Sequence, residues 1–261
     1  MKKLYLLLVI VCLISCTKDN PEQGIIVNNQ ELQKFLLRYY DKNNDGILSN
    51  EEALEVTVIS IIHSQEPIDG LEHFPNLENL HVPYGKYTEL DVSKNIKLKQ
   101  FNCRNSNLSS INLSNNPNLE ALTCRECKLS SLILANNPEL VYLSCGFNNL
   151  VMLDLRNAPN LIDLDCTSNF LKSIILSNST KLFNLRCIFN NLEALDVSAC
   201  SELNLLSCSM NSLTELDVSN NSKLGYLECR MTNKLQTLYL KTGQVIRTIH
   251  QDVNTTIVYL P

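Results

Sequence analysis

Cysteine recurs every 21 residues through the middle of this chain, at Cys103, Cys124, Cys145, Cys166, Cys187, Cys208 and Cys229, without a slip. A fixed period of that length marks a repeating architecture, in which each unit buries its apolar side only against its neighbours. The period outranks overall length: 261 residues would suit one or two ordinary domains, but a stack of units predicts one elongated body.

Aligned on the cysteines, each unit reads L-x-x-L-x-C-x-x-N-x-L-x-x-L-x-L-S-x-N-x-x, from Leu98, Phe101 and Cys103 in one unit to Leu224, Leu227 and Cys229 in another. An earlier unit beginning at Leu77 keeps the register, with Leu80 and with Val82 in the cysteine's place. One unit cannot stand alone. Burying about six aliphatic side chains stabilises by roughly 1.5 to 3 kcal/mol each. Ordering the unit's backbone costs on the order of 1 to 2 kcal/mol per residue. Stacking is therefore obligatory. The x-L-x-C alternation predicts one short strand per unit, leucine and cysteine pointing inward and the residues between them outward. Neighbouring strands would lie about 4.8 Å apart in a parallel sheet.

The pattern is similar to that of leucine-rich repeats over about residues 56–250. Its 21-residue form, with a cysteine at one internal leucine position, resembles the cysteine-ladder internalins and related repeat lipoproteins of bacterial surfaces. The resemblance implies a repeat solenoid: a right-handed leucine-rich-repeat coil with a parallel β-sheet, mostly β and loop. The first coil, "VTVISIIHSQEPIDGLEHFPNL", departs toward a 22-residue internalin spacing at Ile68, Leu71, Phe74 and Leu77. We place the solenoid at 56–240 and a C-terminal cap at 241–261, because the pattern shifts after Met231 to Leu235, Leu238 and Leu240. The second half of each unit, as in "LTELDVSNN", imitates the first, so spacing leaves open which half forms the main concave sheet. We favour the cysteine half.

In-register inward cysteines form a column of small core side chains, where a free thiol behaves as a small hydrophobe. Two other readings stand beside it. Exported proteins often carry disulfides, although seven thiols cannot all pair and parallel side chains oppose the crossed dihedral a disulfide needs. A metal would need thiolates converging on one ion, and a straight column does not converge. Cys127 and Cys200 stand where other coils carry asparagine, as at Asn148, Asn169, Asn190, Asn211, Asn116 and Asn221. Those asparagines are expected to bond backbone groups at the turns, since buried N–H and C=O groups need partners.

Ahead of the repeats, "MKKLYLLLVIVCLISC" combines two lysines, an apolar run over residues 4–14 and a small residue before cysteine. Eleven apolar residues are too few to span about 30 Å of hydrocarbon, so the segment reads as an export signal over residues 1–15. "LISC" resembles the lipobox of bacterial lipoproteins, which implies lipid on Cys16. Residues 16–29 are expected to form a polar tether. Next, "DKNNDGILSNEE" at residues 41–52 matches the twelve-residue loop of the EF-hand family. That resemblance implies one structural calcium ion held by Asp41, Asn43, Asp45, the Ile47 carbonyl, Ser49 through water, and Glu52, with Gly46 at the sharp turn. Helical spacing at Leu32, Phe35, Leu36, Tyr39 and Tyr40 predicts a small helix-loop-helix module over 30–55. A polar turn without an ion is the alternative.

The net charge is −5, with no basic stripe and no aromatic RNA-binding signature, so nucleic acid is not an expected partner. His63, His73, His81 and His250 lie toward the two ends, and Asp154, Asp196 and Asp217 recur as a solvated row, so no catalytic set is expected. In the cysteine half, Tyr142, Phe147, Arg186, Phe189, Met210, Tyr226, Arg230 and Met231 should face solvent. Aromatic, methionine and arginine side chains are the types enriched at protein interfaces. These residues are the expected contact face of a lipid-anchored, non-enzymatic envelope protein at the outer membrane or cell surface. Its ligand would be a protein, host-derived if the internalin resemblance extends to partners. A non-catalytic scaffold or glycan-associated accessory lipoprotein is the alternative.

Overall fold

The computed structural model describes residues 24–231 and 234–261; Cys16 and the export signal lie outside them. Two helices come first, α1 (Gln30–Tyr40) and α2 (Asn50–Ala53). Seventeen short strands follow. They are β1 (Val58–Ser60), β2 (Asn79–His81), β3 (Gln100–Asn102), β4 (Ser110–Asn112), β5 (Ala121–Thr123), β6 (Ser131–Ile133), β7 (Tyr142–Ser144), β8 (Met152–Asp154) and β9 (Asp163–Asp165). The remainder are β10 (Ser173–Ile175), β11 (Asn184–Arg186), β12 (Leu205–Ser207), β13 (Glu215–Asp217), β14 (Tyr226–Cys229), β15 (Thr237–Lys241), β16 (Thr248–Gln251) and β17 (Thr256–Leu260).

The chain winds as a parallel β-solenoid. Its main sheet has ten strands in the order β1-β2-β3-β5-β7-β9-β11-β12-β14-β16. Leu143 pairs with Leu122 and Leu164, 21 residues away on either side, as the period requires. The ambiguity between the halves is thereby settled: the cysteine half forms the continuous sheet. The imitating half makes only short sheets, β4-β6, β8-β10 and β13-β15-β17.

The core is the predicted column. Leu98, Leu119, Leu140, Leu161, Leu182 and Leu203 are fully buried, and all seven register cysteines are inaccessible and unpaired. Burial raises every one of these thiols, Cys187 and Cys229 to about 12. Free thiols are the reading the structure supports. Among the described residues, no group of three or more histidine, cysteine or acidic side chains is gathered to hold a metal ion.

Backbone groups at the turns are satisfied by asparagines, as expected. Asn148 donates from Nδ2 to the Cys124 and Cys145 carbonyls at 2.8 and 3.0 Å, while its Oδ1 accepts from the Leu129 N–H at 3.0 Å. Asn169, Asn190 and Asn211 repeat this one coil at a time. A second ladder runs behind the other half, where Asn116 donates to the Val92 and Asn95 carbonyls. Gln244 continues it by donating to the Val218 and Asn221 carbonyls. The recurring aspartates also do more than face solvent: Asp154, Asp196 and Asp217 each accept the N–H two residues on. Those bonds form Asx-type turns.

Both ends differ from expectation. Residues 25–29, assigned to the tether, belong to the folded body. Ile25 and Val27 are buried, and Ile25 bridges antiparallel to Leu48 with its N–H 2.8 Å from the Leu48 carbonyl. Asn29 caps α1 and donates to Ser64 Oγ and to the Glu66 and Pro67 carbonyls. The apolar residues Ile25 and Val27 explain the difference: they join the hydrophobic core. At the other end, residues 241–261 form no separate cap. β16 joins β14 in the main sheet and β17 joins β15 behind it, so the segment is a further coil. The Tyr226 to Thr248 register of 22 absorbs the one-residue insertion seen in the sequence.

The seven register sulfurs should therefore resist iodoacetamide in the native protein and react on denaturation; rapid native labelling would contradict the buried column. Leu164→Ala, at a fully buried rung, should lower stability by roughly 2 to 5 kcal/mol in urea unfolding.

Candidate functional site: the main-sheet face and the N-terminal loop

Two residues past each register cysteine, the backbone turns through the left-handed region. Tyr84, Asn105, Glu126, Phe147, Ser168, Phe189, Met210 and Met231 all have φ between 55° and 60°. Their N–H groups stay in register with the next coil, Phe147 to the Thr167 carbonyl at 2.8 Å and Phe189 to the Ser209 carbonyl at 3.0 Å. The turn is needed to leave the strand while keeping the ladder of bonds. For an L-residue that conformation costs roughly 1 to 2 kcal/mol, and asparagine or glycine tolerates it best. Bulky residues at five of these rungs, Tyr84, Phe147, Phe189, Met210 and Met231, are thus unfavourable locally.

The Tyr84 ring is stacked on His63 and under Arg104, whereas Phe147, Phe189, Met210 and Met231 are between 40% and 61% exposed. Phe170, exposed to a similar degree, stands two residues beyond Ser168 on the coil between Phe147 and Phe189. Phe147, Phe189, Met210 and Met231 are therefore exposed at one repeat position, and Phe170 is exposed two places off it. A second row was missed. Val141, Ile162 and Phe183 occupy consecutive coils at the start of their strands and are exposed. Their signal was legible as one repeat position, directly after the first leucine, apolar in three successive units.

Val141 and Phe147 bracket the three strand residues of their coil, so the two rows flank a band about 10 Å wide at strand rise. That band is polar and charged. Asp163 accepts from Arg186 Nη1 at 3.1 Å, and Asp165 accepts from Arg125 Nη1 at 2.9 Å. Arg125 also lies over the Phe147 ring, 4.4 Å from its centroid. Glu228 accepts from Arg230 at 2.9 Å and from Ser207 Oγ at 3.0 Å, which holds its carboxyl below the usual carboxylate range. Of the predicted face, Phe147, Phe189, Met210 and Met231 share one row and Tyr142 stands exposed on the sheet. Arg186 and Arg230 are engaged in ion pairs, and the Tyr226 ring lies 5.8 Å from His250.

The N-terminal loop has the turn geometry its sequence demands, with Gly46 at φ 80° and Asn44 at φ 58°. Its oxygen groups are arranged along the loop. Asp41 Oδ2 accepts from the Gly46 N–H at 2.9 Å, Asn43 Oδ1 from Asp45 N–H at 3.0 Å, and Asp45 Oδ1 from Ile47 N–H at 2.8 Å. Ser49 caps α2, and Glu52 accepts from the Ser49 and Lys42 N–H groups, which hold its carboxyl low. Asp41 Oδ1 is buried with no partner. The donor types and order fit a calcium ion, and this unpaired carboxylate oxygen is the atom such an ion would satisfy. The acidic groups are not, however, drawn together into a closed cluster.

These features define the class: a leucine-rich-repeat solenoid with a buried cysteine ladder. Among solved structures, the functional domain of InlJ from Listeria monocytogenes, which includes a cysteine ladder, aligns at 24% identity and TM-score 0.55 over 82% of this chain. This chain spans 57% of that domain's length. Internalin C2 from the same organism aligns at 17% identity and TM-score 0.63, covering 75% of this chain and 91% of its own. The leucine-rich repeat domain of APL1B aligns at 23% identity and TM-score 0.60, covering 76% of this chain and 62% of its own. The likeness is one of fold. No family model matches the sequence, and no curated protein matches it either.

Phe189→Gly tests the conformational cost at the row. It should change stability by no more than about 1 kcal/mol, because relief of the left-handed strain offsets glycine's greater chain entropy. A loss of several kcal/mol would show that Phe189 is structural.

Proposed function

We propose that this chain is a non-catalytic binding protein of the bacterial envelope, whose main-sheet face receives a protein partner between its two apolar rows. The observation that carries the reading is the set of phenylalanine and methionine residues at left-handed positions. They add nothing to the core, they are exposed, and a smaller residue would fit the backbone better. Aromatic and methionine side chains around a polar, ion-paired centre have the composition of a recognition surface. The paired arginines and carboxylates supply register and specificity more than affinity.

The leader and "LISC" support a lipid anchor on Cys16, followed by a tether of under ten residues before Ile25 enters the core. Such an anchor would hold the solenoid's N-terminal end toward a membrane. No described helix is long and apolar enough to cross one. A host protein is the ligand class implied by the internalin resemblance. The ectodomain should retain a protein partner that Phe147→Ser/Phe189→Ser loses, with its circular dichroism unchanged. Retention of a glycan, untouched by those substitutions, would favour the accessory-lipoprotein role instead.

A structural calcium ion at the N-terminal loop is the second element of this proposal, favoured by the buried, unpartnered Asp41 Oδ1. Asp41, Asn43, Asp45, Ser49, Glu52 and the Ile47 carbonyl would hold it. Its charge would draw the carboxylates together and stiffen the junction between α1 and the first coil. Isothermal titration with calcium should show one site that Asp41→Ala abolishes; no heat from the parent protein would refute it.

A further inference from the structure

The main-sheet face is not uniform along the stack. From β9 to β14 its polar side chains are committed to one another: Asn184 donates to Asp163 at 2.7 Å, Arg125 to Asp165 at 2.9 Å, and Ser207 and Arg230 to Glu228. The face of β2, β3 and β5 differs. Asn79 stands in register with Gln100 and Gln100 with Ala121; two residues on, His81 is in register with Asn102 and Asn102 with Thr123. These six outward positions rim a depression of about 180 Å³ whose floor is Leu80 and Phe101. Asn79 and Gln100 occupy the row in which Asp163 and Asn184 bond each other, yet they do not. Among the described residues, the Asn79, Gln100 and Thr123 side chains have no hydrogen-bond partner. Asn102 accepts the Arg104 N–H at 3.1 Å on Oδ1 and keeps its Nδ2 donors uncommitted. Burial and, to a lesser degree, the Arg104 guanidinium lower the pKa of His81, so its ring is neutral at pH 7, with one donor and one acceptor nitrogen.

We propose that this depression binds one ring of a neutral saccharide. Amide, neutral imidazole and hydroxyl groups each offer both donors and acceptors, and a sugar hydroxyl does the same. No acidic or basic side chain lines the depression, and the flanking Lys99 and Glu78 are paired with each other at 3.0 Å. Nothing there would offset a charged ligand's loss of water.

Size points the same way. Ala121 supplies the room, since its row carries Gln100 on one side and Tyr142 on the other. Three strands and two residues of strand enclose about 10 Å by 7 Å, the footprint of a single hexose ring. The volume falls below the roughly 300 Å³ at which pockets for larger small molecules begin. An extended peptide fits less well, because the rim holds no apolar or charged pocket for its side chains. The exposed Tyr142, one coil beyond Ala121, offers an aromatic ring to the C–H face of an adjoining sugar.

The site lies on coils before the Phe147 and Phe189 row, so it stands or falls independently of the protein-binding reading. The test applies the full-length protein to an array of neutral and sialylated oligosaccharides and titrates the strongest neutral probe by calorimetry. Retention of neutral oligosaccharides, without preference for the acidic ones, is expected. Asn79→Ala/Gln100→Ala removes two bonding groups that the fold does not use, so circular dichroism should not change and affinity should fall about tenfold. Ala121→Gln fills the depression with the side chain found one rung away and should abolish binding. Phe147→Ser/Phe189→Ser should leave the affinity unchanged. A protein partner lost only in that last variant would mark two sites on one sheet. A saccharide bound with no protein partner would leave this site standing and assign the protein the accessory role. Retention of no neutral oligosaccharide, a preference for the sialylated probes, or unchanged affinity in Asn79→Ala/Gln100→Ala would each overturn the proposal.

Discussion

Everything in this molecule depends on the hydrogen-bonded spacing between one coil and the next. Parallel strands about 4.8 Å apart leave each coil only the thickness of a single layer of side chains, so whatever one coil buries must match its neighbours. Leucine fills the layer, and cysteine occupies the position where a bulkier residue would push coils apart. Val82 holds the same place in an earlier coil, which shows that the position requires a compact apolar side chain and no thiol chemistry.

The same constraint operates at the turns. A chain that leaves a strand of three residues while keeping its N–H groups directed along the stack passes through the left-handed region, and the coils of β1 to β14 do so two residues beyond the cysteine position. Asparagine then bridges the carbonyls of two coils and accepts the next backbone N–H. The turn is thus satisfied from inside, and its outward side chain is free to vary. Variation there runs from Asn105 and Ser168 to Phe147 and Phe189, residues that the backbone disfavours and the core does not use. The exposed row is assembled from positions released by the ladder.

The ends of the stack are handled differently. At the N-terminal end, the Tyr40 hydroxyl accepts from the Val58 N–H and donates to the Val58 carbonyl, covering part of the first strand's outer edge. Asn29 ties α1 to the loop of that coil, and the antiparallel bridge from Ile25 to Leu48 gives the lone loop a strand partner within its own chain. These contacts make the loop and the solenoid neighbours in one core. Rigidity in the loop would therefore be felt at β1.

Much of this was legible in the sequence because a period is one-dimensional information. The 21-residue spacing names the inward leucines and cysteines, the asparagine rungs, and the stripe through Phe147, Phe189, Met210 and Met231. Composition and loop spacing likewise marked the helix-loop-helix segment. What the period could not reveal were relations between different positions on different coils: Arg125 reaching Asp165 and lying over Phe147, and Ile25 finding Leu48. Nor could it choose between two similar half-repeats, since both satisfy the same local pattern and only cooperative pairing along the stack makes one of them a continuous sheet. By itself, the sequence determined which residues lie inside each coil, because burial follows alternation along a single strand. The tertiary structure alone decided which side chains share a surface, because that depends on how each turn aims the next coil.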